Sequence, residues 1–399
     1  MDEEIPRLRR ELHVVPFDGG AQASRYLVQV DHLNYLVSPA LKRVLDTLRA
    51  HQERGAGNDH ASAELREAAR LARQHLPQSL FDGAVTTPRR TPFVISARIL
   101  SAQFLAHIVP RLGWLFSPLV VAGLLLLCLV LHVAVWGDVV LARLPPGSDA
   151  LLAVLLLLVG MLLHELGHIC ACHRGGGAIG GIGVGLYLIF PVFYAEVTDA
   201  WRLPTRARAR VDLGGLYFQA LFLAVVDVVL LMRGGPVAAA LSWLTTVTML
   251  HTLNPFLKFD GYWLLSDLTG VVNLHARVGE TLRRLLRVAM GRAPLASLGG
   301  EASRVLLPYA LLSLVFVAGF SAFVLGRIAL YRETLPPALA QWWQSIPVAP
   351  RPFDLALVLL DLAGLLALPA LMLLALLFYL NRMAGYFRPR HPDPERRSS

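Results

Sequence analysis

Apolar residues are arranged in two different ways along this chain. Up to about residue 90 they alternate with polar residues, and beyond about residue 113 they gather in long uninterrupted stretches. About six stretches reach the roughly 20 residues that a helix needs to cross a membrane. We place these spans near 113–136, 149–172, 213–232, 236–256, 305–326 and 353–380. The pattern predicts a mainly α-helical, polytopic membrane protein.

The polar N-terminal stretch predicts a small α+β module. RYLVQV (25–30) and LNYLV (33–37) have the composition of strands and are separated by a short turn, which indicates a β-hairpin. Ser38 and Pro39 then supply an N-cap and a first-turn proline for a helix. A second amphipathic helix is expected over about 61–76. We expect a cytoplasmic module over 1–90, a linker or interfacial helix over 91–112, a transmembrane domain over 113–380 and a basic tail over 381–399.

Composition supports a membrane protein, because 55% of the residues are hydrophobic and only 16% are charged. The formal net charge is +9, but the basic residues form no stripe with interleaved aromatic residues, so nucleic-acid binding is not expected. The charge instead predicts contact with anionic lipids. Arginine is abundant in the N-terminal module, at 200–210, at 277–304 and in the tail, which places both termini on the cytoplasmic side of a membrane, most simply a bacterial cytoplasmic membrane.

The sequence LLHELGHIC (162–170) contains the residues best suited to chemistry. His164 and His168 are four residues apart and share one helix face, so that both imidazoles can bind one metal ion. Glu165 is placed to take a proton from an attacking water molecule and return it to the leaving amine. Ionisable residues inside a span are costly, which favours a functional site over a polar helix end at the membrane surface.

A catalytic zinc ion usually has three protein ligands, so the histidine pair needs a partner from elsewhere. The best candidate is Asp260, within LNPFLKFDGYW (253–263), because Asn254 and Pro255 break the fourth span and free the backbone to turn. An ordinary Asp-Gly turn at the membrane surface is the alternative. Further candidate ligands are Cys170, Cys172 and His173.

Other polar and glycine-rich positions allow more than one interpretation. Asp227 lies inside a predicted span and is a functional candidate whose partner the sequence does not identify. His251 is a candidate for proton relay or for a structural role. The stretch GGGAIGGIGVG (175–185) predicts either a flexible loop or an extended hairpin that lines a cavity and holds substrate at Gly183 and Gly185. Two acids are expected in a solvated interfacial segment: Glu196 and Asp199.

The pairing of HELGH (164–168) with NPFLKFDG (254–261) resembles the site-2 protease family of intramembrane zinc metallopeptidases. The resemblance covers roughly 110–265. It implies that one zinc ion is bound by His164, His168 and Asp260, that Glu165 is the base, and that Asn254 positions the scissile peptide. The third span of that family often contains Ala-Gly-Pro-x-x-Asn. Here the stretch reads GGLYFQ (214–219), which has no proline and places Gln219 at the position of that substrate-contacting asparagine.

Two further stretches, NPFLKFDGYW and YAEVTDAWRLPTRARARVDLGG, resemble the peptide zinc metalloprotease branch, which is associated with ribosomally made, modified peptides. The N-terminal module resembles the PqqD-like winged-helix domains that bind leader peptides. The resemblance implies a precursor peptide as substrate and partner, held through its leader, with membrane lipids around the enzyme. A module that only stabilises or oligomerises the enzyme is the alternative, and the oligomeric state does not follow from the sequence.

Three functions are consistent with these features. The first is an endopeptidase that removes the leader of a modified precursor peptide, or otherwise matures it, near the cytoplasmic face. The second is an endopeptidase that cleaves a membrane-anchored regulator. The third is a membrane accessory that binds peptides for an exporter without cutting them. The intact HELGH motif disfavours the third, because a protein that only binds peptides has no need of Glu165.

Overall fold

The computed structural model describes residues 5–17, 25–30, 33–54, 62–83, 95–143, 145, 147–187, 190–271, 274–294, 301–344 and 346, with single positions between 354 and 381. The chain forms two compact units. One contains the described residues up to 143 and from 154 to 270, and the other contains those from 145 to 153 and from 271 onward.

The N-terminal module is a three-stranded antiparallel sheet covered by two helices. Its strands are β1 (His13–Phe17), β2 (Arg25–Val30) and β3 (Leu33–Val37), and its helices are α1 (Pro39–Glu53) and α2 (Ala63–His75). The hairpin predicted from the two strand-like runs is confirmed, with Tyr26 opposite Val37 and Val30 opposite Leu33. The predicted cap is also confirmed, because the Ser38 hydroxyl accepts a hydrogen bond from the Leu41 N–H. Strand β1 was not predicted.

A second antiparallel sheet belongs to the same unit. It consists of β4 (Ser96–Leu100), β5 (Ile182–Tyr187) and β6 (Phe190–Ala195), with β5 in the centre. Residues 182–185 of the glycine-rich stretch lie in this hairpin, which confirms the extended hairpin for that part, whereas 175–181 form no strand. Its lining of a cavity and its hold on a substrate stay predictions. The expectation of a linker or interfacial helix over 91–112 is wrong for 96–100, because this segment pairs with β5 and satisfies its backbone hydrogen bonds there.

Helices make up most of the remaining structure. They are α3 (Ala102–Leu105), α4 (Pro118–Ala134), α5 (Trp136–Val140), α6 (Gly147–Arg174), α7 (Thr205–Arg233), α8 (Pro236–Thr252), α9 (Asp260–Thr269), α10 (Leu274–Ala289) and α11 (Glu301–Gln344). In the second unit α10 packs against α11. Helix α11 continues through Pro336 and Pro337 to Gln344, beyond the end near residue 326 that was predicted for the fifth span.

Three described helices are long and apolar enough to cross a membrane: Gly147–Arg174, Thr205–Arg233 and Arg304–Gln344. The first predicted span corresponds to a pair of helical segments, Val109–Phe116 and Pro118–Ala134, bent by 80°. Helix α8 has 17 residues and lies where the fourth span was predicted. The sixth predicted span, 353–380, falls outside the described residues apart from single positions, so a count of about six spans stays a prediction.

Candidate metal centre

The centre is formed where α6, α7 and α9 meet. Close contact between α6 and α7 depends on two glycines that face each other. A Cβ atom on Gly167 would lie 2.2 Å from the carbonyl oxygen of Gly214, and one on Gly214 would lie 2.6 Å from that of Gly167. Because no larger residue fits at either position, the two backbones can approach closely. This approach places α7 directly beside the His164–His168 face of α6.

Three potential ligand atoms converge at this point. The Nε2 atoms of His164 and His168 are 3.1 Å apart. One carboxylate oxygen of Asp260, Oδ2, lies 3.1 Å from the first and 3.3 Å from the second. Both histidines are buried and Asp260 is partly buried. Among the described residues these three form the one group of histidine, cysteine and acidic side chains arranged to hold a metal ion.

Hydrogen bonds on the far side of each imidazole determine which nitrogen faces the centre. The Nδ1 atom of His168 donates to the carbonyl oxygen of Val211 at 2.7 Å. The Nδ1 atom of His164 lies 3.1 Å from Oε1 of Gln219, whose amide nitrogen donates to Thr248. Since both Nδ1 atoms carry the proton, both Nε2 atoms present lone pairs to the centre.

This arrangement fits a metal ion. With both Nδ1 atoms protonated, two imidazole lone pairs and a carboxylate oxygen face one point, and they repel one another unless a cation lies between them. Oδ2 of Asp260 is buried and makes no hydrogen bond of good geometry within the described structure. Ligands at 2.0–2.1 Å from a tetrahedral zinc ion lie about 3.3 Å apart, and the observed separations are 3.1 to 3.3 Å. The donor set of two nitrogens and one oxygen suits zinc.

The turn that supplies Asp260 has the local structure expected from its sequence. Helix α8 ends at Thr252, and α9 begins at Asp260. The side-chain oxygen of Asn254 accepts a hydrogen bond from the Phe256 N–H at 2.9 Å, which stabilises the turn. A Cβ atom on Gly261 would lie 2.0 Å from the carbonyl oxygen of Leu253, so glycine is required where the chain folds back. Asn254 therefore shapes the turn, and its contact with substrate stays a prediction.

Glu165 lies on α6 beside the two histidines and is partly buried. Its carboxylate lies near the backbone N–H of Ala195, the last residue of β6. The N–H of the next residue, Glu196, points toward β5 and donates to the carbonyl oxygen of Gly181 at 2.9 Å. Backbone groups of an antiparallel strand alternate in direction, so the Ala195 N–H points to the outer edge of β6. Glu165 therefore lies at that edge.

Three predicted substrate contacts have other neighbours in the structure. Gln219 is 2% exposed and uses both ends of its amide on His164 and Thr248, so its side chain orients the His164 imidazole. Gly183 lies under Tyr194, and a Cβ atom there would be 2.4 Å from the ring. Gly185 is buried in the central strand β5. These neighbours place the three residues within the site and the sheet, and their contact with a substrate stays a prediction.

The remaining candidates lie apart from the ligand group. Asp227 is fully buried and accepts hydrogen bonds from His132 at 2.9 Å and Ser242 at 2.6 Å, which supplies the partners that the sequence left open. His251 contacts the ring of Phe259. The cysteines Cys170 and Cys172 are free and buried, and the described structure does not include them, or His173, in the ligand group.

The two acids expected in a solvated segment are both half-buried and paired. Glu196 accepts hydrogen bonds from Arg98 at 3.0 and 3.2 Å, and this ion pair connects the end of β6 with β4. Asp199 accepts a hydrogen bond from the Ala178 N–H at 3.0 Å. Both acids thus fix the turns around the second sheet.

Sequence reasoning missed Gly215 and the ion pair between the buried Arg208 and the partly buried Asp267. A Cβ atom on Gly215 would lie 2.5 Å from Nε2 of His168 and 2.6 Å from Nε2 of His164. Arg208 donates through Nε to Asp267 at 3.0 Å. Burial raises the pKa of Asp267, and the positive charge of Arg208 acts in the opposite direction. Gly214 and Gly215 belong to the GGLYFQ stretch noted in the sequence. Only their packing against α6 shows why glycine is required at these positions.

The chain is similar to one curated protein, from Bacillus subtilis (strain 168), named "Putative peptide zinc metalloprotease protein YydH". The two are 27% identical over 117 residues, which is 29% of this chain and 46% of the relative. The matched stretch therefore spans less than half of the length of that relative. No family model matches the chain, and no solved structure matches it.

Proposed function

We propose that this protein is a membrane-embedded zinc metallopeptidase of the site-2 protease type that cuts a peptide bond near the cytoplasmic face of the membrane. The observation that carries the proposal is the convergence of His164, His168 and Asp260, with their lone pairs facing one point and Glu165 beside them. The weak similarity to a protein named as a peptide zinc metalloprotease supports the same activity. The apolar helices α6 and α7, which carry or flank the centre, support a membrane location.

Different side chains would bind the metal ion, transfer the proton and orient the metal ligands during hydrolysis. His164, His168 and Asp260 would hold the zinc ion, which when bound polarises a carbonyl group and lowers the pKa of a water molecule. Glu165 would accept the proton of the attacking water and return it to the leaving amine. Gln219 and the Val211 carbonyl hold the imidazoles in the orientation that this requires. The chemistry needs no further catalytic side chain.

The outer edge of β6 is suited to hold the substrate. Among the described residues no strand pairs with this edge, and Glu165 lies at its end, beside Ala195. A peptide that adds to the edge would be extended, with its backbone hydrogen-bonded to β6 and one of its peptide bonds beside Glu165. A substrate unwound in this way is open to attack, whereas a peptide bond within a helix is shielded.

A modified precursor peptide is the substrate that we propose. Within the described part of the N-terminal sheet, the outer edges of β1 and β3 have no strand partner, so either could accept a leader peptide as an added strand. Binding a leader beside the active site would raise the local concentration of the peptide to be cut. A chain with both termini in the cytoplasm, as the arginine distribution predicts, would bring module, substrate and active site to one side of the membrane.

The proposal is tested by zinc content and cleavage together. The purified protein in detergent would be compared with Glu165→Gln and Asp260→Ala, using a leader-containing precursor peptide as substrate. Glu67→Gln, on an exposed side chain of α2, is the matched control. We expect the wild type and the control to contain one zinc ion and to cut. Glu165→Gln should keep zinc and lose about 100-fold or more in rate, and Asp260→Ala should lose zinc.

Other outcomes would replace this function. Cleavage by Glu165→Gln at the wild-type rate would show that another group is the base. A wild type without zinc that binds the precursor but leaves it intact would favour the accessory of an exporter. Cleavage of a membrane-anchored regulator, with the precursor left intact, would keep the peptidase and change its substrate.

A further inference from the structure

Phe17 joins the N-terminal module to the rest of its unit. It is the last residue of β1 and is only 8% exposed, although β1 is an edge strand. Its ring lies against two side chains outside the module. The guanidinium carbon of Arg208 is 4.6 Å from the ring centroid, and the rings of Phe17 and Trp201 are 6.4 Å apart. A guanidinium over an aromatic face is attracted by the ring, and more strongly when both are removed from water.

Arg208 carries the first connection from Phe17 to α9. It is 3% exposed, and its guanidinium donates to Asp267 of α9 and to the carbonyl oxygen of Leu203, both at 3.0 Å. A buried arginine is stable only when it is paired, and the aromatic ring above it keeps water away. The ring of Phe17 therefore adds to the contacts that hold Arg208, and through it Asp267, in place.

Trp201 carries a second connection to the same helix. The indole of Trp201 contacts Phe17 on one side and Trp263 of α9 on the other, where the rings are 6.1 Å apart and nearly perpendicular. Edge-to-face pairs of this kind are favourable beyond the area that they bury. Phe17 thus reaches α9 by an ion pair and by an aromatic chain that share no other residue.

Both connections end on the helix face that supplies a metal ligand. Asp260, Trp263 and Asp267 are separated by three and four residues, which places them on one face of α9. The helix has only 10 residues, and its first is Asp260. The contacts at Trp263 and Asp267 hold this short helix, so it has little freedom to rotate and move Asp260.

We propose that the N-terminal module positions the third metal ligand through Phe17. Phe17 is a positioning residue that fixes the face of α9 carrying Asp260, Trp263 and Asp267, and thereby the distance from Asp260 to the two histidines. The module is then a structural part of the metal centre, whether or not it also binds a leader peptide. This inference rests on the proposed function only in taking Asp260 as a metal ligand.

The test is metal binding by the full-length protein in detergent. Zinc affinity would be measured by competition with a chelator, and the coordination of Co²⁺ by its visible absorption spectrum. We expect Phe17→Ala to lower zinc affinity about 10-fold or more, as is typical when the residues that orient a ligand are removed, and to change the Co²⁺ spectrum. Phe17→Tyr keeps the ring and should restore both. Phe81→Ala is the matched control, because Phe81 is also an aromatic residue of this module, is partly buried and packs against the module's core.

The possible outcomes distinguish a failure of this inference from a failure of the proposed function. Wild-type affinity and spectrum in Phe17→Ala would overturn the inference while leaving the proposed function intact, because the wild type would still bind zinc. An equal loss in Phe81→Ala would show that general stability of the module, and not Phe17, is responsible. A wild type that binds neither metal would instead refute the proposed function. If Phe17→Ala does not fold, Phe17→Leu, which keeps apolar volume without an aromatic face, provides the same comparison.

Discussion

Gly215 lies directly against the imidazole of His168, so closely that a Cβ atom on it would be 2.5 Å from Nε2. The same atom would be 2.6 Å from Nε2 of His164. Gly215 belongs to α7, where glycine costs roughly 0.5–1 kcal/mol relative to alanine in a helix interior. Its presence in the middle of a helix is explained by the space that the two histidines need.

Gly215→Ala should therefore impair zinc binding while leaving the helix intact. Alanine is the better helix former, but its methyl group must displace one or both imidazoles. We expect a loss of zinc affinity of about 10-fold or more, measured by chelator competition. Gly123→Ala, in α4, is the matched control because a Cβ atom there meets nothing within 4 Å. Zinc binding by Gly215→Ala that equals that of the control would contradict the close packing described.

Gln219→Leu should weaken zinc binding by about 10- to 100-fold. Leucine removes the acceptor for the Nδ1 proton of His164 and leaves that buried N–H without a partner. Gln219→Glu keeps an acceptor at the same place and should bind zinc more tightly than the leucine variant. Zinc affinity would be compared in the two variants. If leucine and glutamate behave alike, the hydrogen bond to His164 does not orient the ligand.

Asp227→Leu should lower stability without changing the zinc content. The carboxylate joins α4, α7 and α8 through His132 and Ser242, and each interhelical hydrogen bond in a membrane contributes about 1–2 kcal/mol or less. Thermal unfolding in detergent would measure the loss. The double variant with Asp227→Leu and His132→Leu should lose less stability than the sum of the losses in the two single variants, because each single change leaves a buried partner unpaired. Strict additivity would show that the two residues do not interact.

Removal of the metal should destabilise the protein reversibly. A ligand that binds only the folded state at 1,000 times its dissociation constant adds about 4 kcal/mol, so a chelator should lower the unfolding temperature. Added Zn²⁺ should restore it and Mg²⁺ should not, because the centre offers imidazole nitrogens that Mg²⁺ binds poorly. Asp260→Ala should unfold at the same temperature with or without the chelator. A chelator effect that persists in this variant would locate the metal elsewhere.

Local patterns in the sequence were sufficient for much of the fold and for the ligand group. The hairpin over 25–37, the cap at Ser38 and the break at Asn254-Pro255 follow from turn and helix-end chemistry between near neighbours. The four-residue spacing of His164 and His168 places both on one face of any helix. Asp260 could be inferred because a catalytic zinc ion needs a third ligand and the chain must bend beside this residue.

Contacts between residues far apart in the chain were decided by the tertiary structure. Strand β4 exists because residues 96–100 pair with β5, and no local property of SARIL requires that. Gln219 was expected at the substrate and is found on His164, since its direction depends on how α7 packs against α6.

The sequence by itself therefore determined which side chains can perform the chemistry, because helix periodicity and the cost of charge in a membrane act over a few residues. What holds those side chains in place was decided by the tertiary structure. Gly167 and Gly214 set the distance between two helices, and Phe17, Arg208 and Asp267 meet across more than 200 positions of the chain. Such contacts depend on the relative placement of whole elements, which is set by packing of the complete chain.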